Sequence, residues 1–123
     1  MKVDFSWKRI SGCSSPSCSS DSLNRDGVSP ICCLLMDDGG QGHLSSIPWI
    51  DEGVRRIASV KDSTLEHVNW SREAWGAELW KDKSKIYSLY DESVFEMIDT
   101  HELMLLLLAW KEFVQGDPKV GGA

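Results

Sequence analysis

No apolar run in this chain approaches the roughly 20 residues that a membrane-spanning helix requires; the longest, residues 103–110, stops well short. The opening "MKVDFSWKRI" has charges where a secretion signal would have an apolar core, so a cytoplasmic chain is expected. Histidine occurs only three times, and His43 and His67 have no nucleophile nearby in a recognised arrangement. A carboxylate pair could be picked from nineteen acids in many ways and so identifies nothing. The most informative absence is local. Residues 86–102, "IYSLYDESVFEMIDTHE", contain no lysine or arginine, yet they hold three aromatics and five acids.

The four cysteines, Cys13, Cys18, Cys32 and Cys33, all lie in the first third of the chain. Thiols of a cytoplasmic chain are ordinarily reduced, so a disulfide framework is not expected. The spacing C-x4-C-x13-C-C does not suit a zinc site, because adjacent cysteines rarely both reach one tetrahedral ion. Other chemical signatures are likewise incomplete. "GGQGHLS" has Leu44 and Ser45 where a dinucleotide loop would place its last glycine, and it lacks the G-K-[ST] of a phosphate loop. "HELML" starts like a zinc-protease helix but carries Leu105 where the second histidine belongs. No catalytic, metal or cofactor residues are assigned.

What is present is globular. The 123 residues, 41% apolar and 26% charged, fit a single domain over 1–123. The net charge of −6 is unevenly placed: residues 1–72 hold nine acids against eight Lys and Arg, and residues 73–117 hold ten against four. Such a half disfavours phosphate backbones and anionic membranes and favours a basic partner. The alternative is an acidic face kept for solubility.

"KVDFSWKRI" alternates Val3, Phe5 and Trp7 against Lys2, Asp4, Ser6 and Lys8, the pattern of a half-buried strand. Residues 11–29 contain eight serines with Gly and Pro breakers and are expected to form a mobile loop or a linker. "ICCLLMDD" is apolar on both faces and reads as a short central strand with cysteine as a small hydrophobe. A helix capped by Ser45 or Ser46, with Pro48 in its first turn, carries the stripe Ile47, Ile50, Val54 and Ile57. Gly53 weakens it by roughly 1 kcal/mol. "KDKS" separates two aromatic-rich runs as in a hairpin, and "VFEMID" adds a strand. A last helix is expected from Thr100 as N-cap to a stop at Gly116 and Pro118, burying Leu103, Leu106, Leu107, Trp110 and Phe113. The expected fold is α+β: an antiparallel β-meander of four to six strands with two helices on one face.

One aromatic set in residues 86–90 must point away from the helices, because Tyr87 and Leu89 alternate with Ile86, Ser88 and Tyr90. Exposed rings beside an acidic rim suit an interface with a basic protein. The contact candidates are Trp75, Glu78, Tyr87, Tyr90, Asp91, Glu92, Glu96 and Asp99. The competing reading puts both tyrosines in the core and leaves the acids as solvating groups.

Residues 68–115 resemble small bacterial immunity proteins of contact-dependent growth-inhibition and related polymorphic toxin systems. The features that carry the resemblance are the W-x-x-E-x-W-G run at Trp70–Gly76, the strand "IYSLYDE", and the helix "THELMLLLLAWKEF". The resemblance implies a cytoplasmic, non-enzymatic protein that binds and neutralises one cognate toxin domain, often a nuclease. Direct nucleic-acid or membrane binding and any cofactor are not implied, and the expected state is a monomer or weak homodimer. Such families share no interface motif, so the resemblance assigns no residue. The rival reading is a small dimeric regulatory or scaffold domain without a toxin partner; an enzyme using His43 or His101 near the glycine turn is a third.

Overall fold

A computed structural model describes residues 2–21, 23 and 27–116, and for Ile10 and Cys13 the backbone alone. Its elements run β1 (Val3–Ile10), β2 (Cys13–Ser20), α1 (Pro30–Met36), a 3-10 turn (His43–Ser46), α2 (Ile47–Lys61), β3 (His67–Ser71), β4 (Trp75–Trp80), β5 (Lys83–Ser88), β6 (Phe95–Asp99) and α3 (Thr100–Gln115). The fold is α+β. Strands β3 to β6 form a four-stranded antiparallel meander in sequence order, and β1 and β2 form a separate hairpin. Three helices, rather than the expected two, pack against one face of the meander.

That face is set by alternation. Trp70, Ala77, Leu79, Ile86 and Ile98 are each at most 3% exposed and share one side of the sheet. Facing them are Ile50, Ile57 and Val60 of α2, Leu103, Leu107, Trp110 and Val114 of α3, and Ile31, Leu34 and Leu35 of α1. The β1–β2 hairpin lies over the far side of the helices: Phe5 sits edge-on to Trp110 at 5.1 Å, and Trp7 stacks on Phe113 at 5.1 Å. The result is three layers of sheet, helices and hairpin.

Two elements differ from expectation. Residues 30–36 form a helix, not a central strand. Pro30 occupies the first helical turn, Ser29 Oγ accepts the Cys32 N–H at 3.4 Å, and Ile31, Leu34 and Leu35 fall at helical spacing. A short run that is apolar on every side satisfies both periodicities, so the cap decides. Residues 13–20 form strand β2 instead of a loop, pairing in register from Val3↔Ser20 to Ile10↔Cys13. Ser11 and Gly12 both have positive φ (52° and 81°), the two-residue turn that matches strand twist. Pro16 is tolerated because β2 is an edge. Ser22, residues 24–26 and the Pro118 stop lie outside the described residues.

The helix ends also differ from expectation in detail. Asp99, and not Thr100, caps α3, its carboxylate accepting the Glu102 N–H at 3.0 Å. Thr100 is instead fully buried. Its hydroxyl donates to the Trp80 carbonyl at 2.7 Å and receives the Ser84 hydroxyl at 2.7 Å, tying the β4–β5 turn to α3. Ser46 precedes α2 without a capping side-chain bond, because the 3-10 turn carries the chain into the helix. Gly116 ends α3 with φ −69°, outside the left-handed region expected of a helix-ending glycine.

Candidate functional site

Among the described residues no helix covers the far face of the meander. Register places three rows across it: Ser71, Gly76, Tyr87 and Phe95; Asn69, Glu78, Lys85 and Met97; and His67, Trp80, Lys83 and Asp99. Phe95 is 45% exposed and Met97 51%, large values for strand residues. Tyr87 is half-buried. Its ring lies over Gly76, where a Cβ would come within 3.3 Å of Tyr87 Cζ and 3.1 Å of Leu89 Cδ2. A glycine there lets the two side chains lie flat on the strand. At the opposite end of the face His67 stacks on Trp80 at 4.7 Å.

The β5–β6 loop extends this face. Tyr90 is 80% exposed, the highest value of any large hydrophobic residue described. The loop around it is held by its backbone: Leu89 N–H donates to Ala74 O at 2.9 Å, Ser88 N–H to Val94 O at 3.0 Å, and Val94 N–H to Asp91 O at 3.0 Å. Asp91 accepts both the Ser93 hydroxyl (2.6 Å) and the Ser93 N–H (3.0 Å), and the hydroxyl bond above all keeps its carboxyl below the usual carboxylate range. Its charge therefore persists well into acid. Glu92 stands exposed beside it. Burial, with help from the Glu78 and Glu92 carboxylates, pushes the Tyr87 phenol above its ordinary value, so that ring presents a neutral hydroxyl.

Five of the eight sequence-derived candidates are thus brought together: Glu78 and Tyr87 on the open face, Tyr90, Asp91 and Glu92 on the adjoining loop. Three are not. Trp75 shares the parity of Ala77 and Leu79, so it lies on the helical side against the core, its backbone N–H donating to Asp37 Oδ2 at 3.0 Å. Glu96 shares the parity of Ile98 and accepts the Ile31 N–H at 3.1 Å, satisfying a free donor at the start of α1. Asp99 is on the open face but at its other end, where it caps α3. The lysine-free expectation also needs correction. Lys85 reaches in from β5, with Nζ 4.9 Å from the Phe95 ring and 5.7 Å from the Tyr87 ring, a cation resting on two aromatic faces. Phe95, Met97 and Leu89 were missed as site residues, although the alternation of Phe95, Met97 and Asp99 against Glu96 and Ile98 puts the first three outward.

The other motifs take the following places among the described residues. In the glycine turn, Gly39 N–H donates to Asp37 Oδ1 at 3.3 Å and Gly40 N–H to Asp38 Oδ1 at 2.8 Å. Carboxylates thus occupy the donors that a phosphate would need. His43 meets Trp7 edge-on at 5.3 Å, and His101 Nδ1 accepts from Lys61 Nζ at 2.6 Å. Among the described residues no group of three or more His, Cys, Asp and Glu side chains is placed to hold a metal ion, and no helix is long and apolar enough to cross a membrane. No family model, curated protein or solved structure matches the chain.

Proposed function

We propose that this chain is a non-enzymatic inhibitor that binds and neutralises a basic toxin domain, a nuclease in the first instance, through the open sheet face and the β5–β6 loop. The observation that carries this reading is Tyr90: a ring 80% exposed, on a loop held by backbone hydrogen bonds, beside Asp91 and Glu92 and continuous with Tyr87, Phe95 and Met97. A rigid tyrosine gives large contact area at little entropic cost, and the exposed carboxylates at its side, in no ion pair among the described residues, attract a cationic surface before contact. A nuclease must carry such a surface to hold phosphates. The resemblance of residues 68–115 to immunity proteins points the same way.

Co-expression with the toxin domain encoded by the adjacent reading frame tests the reading. Cells should survive, and the two chains should co-purify at equal stoichiometry. If the toxin kills undiminished and no complex forms, the reading is wrong.

A second reading draws support from a different surface. Leu105 and Leu108 of α3 are 51% and 44% exposed and lie outside both the sheet and hairpin contacts. They suit a homodimer of a regulatory or scaffold domain. Light scattering at micromolar concentration separates the two readings, since the inhibitor needs only a monomer.

A further inference from the structure

Cys18 and Cys32 lie 14 residues apart, on different elements, and their sulfurs meet in the interior. Cys18 is on β2 opposite Phe5, and Cys32 is in the first turns of α1. They are 6% and 3% exposed, and Sγ lies 2.8 Å from Sγ. A disulfide bond is about 2.0 Å long, so closure needs a movement of about 0.8 Å shared between two side chains. The backbones are held for it. Cys18 N–H donates to Met36 Sδ at 3.4 Å, fixing β2 against the last turn of α1, and Cys32 N–H is bonded to the cap Ser29. Met36, whose sulfur meets the Cys18 N–H, is itself 39% exposed.

We infer that Cys18 and Cys32 are a redox pair, which a hydroperoxide converts into a disulfide stapling the β1–β2 hairpin to α1. The inference does not depend on any partner or on the proposed inhibitor role. The chemistry divides between the two sulfurs. Cys32 receives the Cys18 S–H, which lowers its pKa below the ordinary thiol value against the effect of burial, and the same bond together with burial drives Cys18 upward. Cys33, the adjacent residue on α1, is raised by burial and projects from a different side of the helix. Cys32 is therefore the nucleophile. Its thiolate attacks one oxygen of hydrogen peroxide, the O–O bond breaks, and the departing hydroxide takes up the proton that Cys32 released. Cys32 is left as the sulfenic acid. Cys18 sulfur then attacks Cys32 sulfur, the S–S bond forms, and the hydroxyl leaves as water with the Cys18 proton. Two thiols lose two electrons in total, and one peroxide becomes two waters.

The test uses the Cys13→Ser/Cys33→Ser chain, which keeps only this pair. After one equivalent of hydrogen peroxide both thiols should vanish together from a thiol titration, and the intact mass should fall by about 2 Da. Peptide mapping without reductant should yield one Cys18–Cys32 cross-linked species. The oxidised chain should melt about 10 °C higher, as expected for a 15-residue ring, and dithiothreitol should reverse the shift. Adding Cys18→Ser or Cys32→Ser to that chain should abolish the shift. The inference is overturned if the product gains oxygen without losing both thiols, if cross-linking is between chains, or if two thiols remain titratable under conditions that oxidise a free cysteine.

Discussion

Gly53 lies in the middle of α2, and replacing it with alanine pits two effects of opposite sign against each other. Alanine favours a helix over glycine by about 1 kcal/mol, so at an exposed site Gly53→Ala would stabilise the chain. Here a Cβ would fall on the indole of Trp70, 2.5 Å from Cε2 and 2.8 Å from Cη2, with Cζ2 also in contact. The ring has nowhere to go. It is 2% exposed, stacks on Trp49 at 4.1 Å, and donates from Nε1 to the Trp49 carbonyl at 3.1 Å. Trp49 in turn donates to the Ser71 carbonyl at 2.7 Å, so moving one ring disturbs both hydrogen bonds. Overpacking of this kind costs about 1–3 kcal/mol, and weakening a buried hydrogen bond adds about 1 kcal/mol. Set against the helical gain, the net change is a loss of about 2 kcal/mol, or about 8 °C in Tm for a chain of this size. Urea unfolding followed by tryptophan fluorescence measures the sign directly, and near-ultraviolet circular dichroism reports the Trp49–Trp70 stack. An alanine variant more stable than the parent, with the stack intact, would refute this packing of α2 on the sheet.

Removing the Thr100 hydroxyl as Thr100→Val leaves the buried Ser84 hydroxyl without its acceptor and should cost about 1–3 kcal/mol in chemical denaturation. Glu96→Ala should cost about 1 kcal/mol through the exposed donor at the start of α1, with Glu96→Gln recovering most of it, since the amide oxygen still accepts. Tyr87 is held protonated in the folded state above its ordinary pKa near 10, so the unfolded chain loses its proton first as pH rises. Stability should therefore fall above about pH 10, and less steeply in Tyr87→Phe; an unchanged alkaline slope would contradict the assignment. Glu92→Lys, at an exposed side chain, should leave stability within about 0.5 kcal/mol but slow association with the proposed toxin partner severalfold at low salt, the difference shrinking as salt rises.

How much was legible in the sequence depended on whether a segment's periodicity had one meaning. Strand β1 and the β4–β5 hairpin were readable because polar and apolar residues alternate cleanly, and α2 and α3 because their apolar positions recur at helical spacing. Residues 30–36 defeated that test, since an apolar run without a polar face reports neither period; the Ser29–Pro30 cap was the available signal. Residues 13–20 were obscured by their serines, which reflect an edge strand with one side in water, and the Ser-Gly pair at 11 and 12 was the cue to a turn. At the candidate site, parity along one strand was readable. The side facing the helices became visible only once strands were paired, which is why Trp75 and Glu96 were placed outward. Lys85 lies one residue before the acidic stretch and reaches its rings across the sheet, a relation that spacing along the chain does not contain.

Hydrogen–deuterium exchange of the chain alone and saturated with the proposed toxin partner tests the central claim most directly. Binding through the open face predicts new protection in residues 85–97, centred on the loop at 89–94, with α3 unchanged. Protection confined to α3 around Leu105 and Leu108, with that loop exchanging as in the free chain, would contradict it.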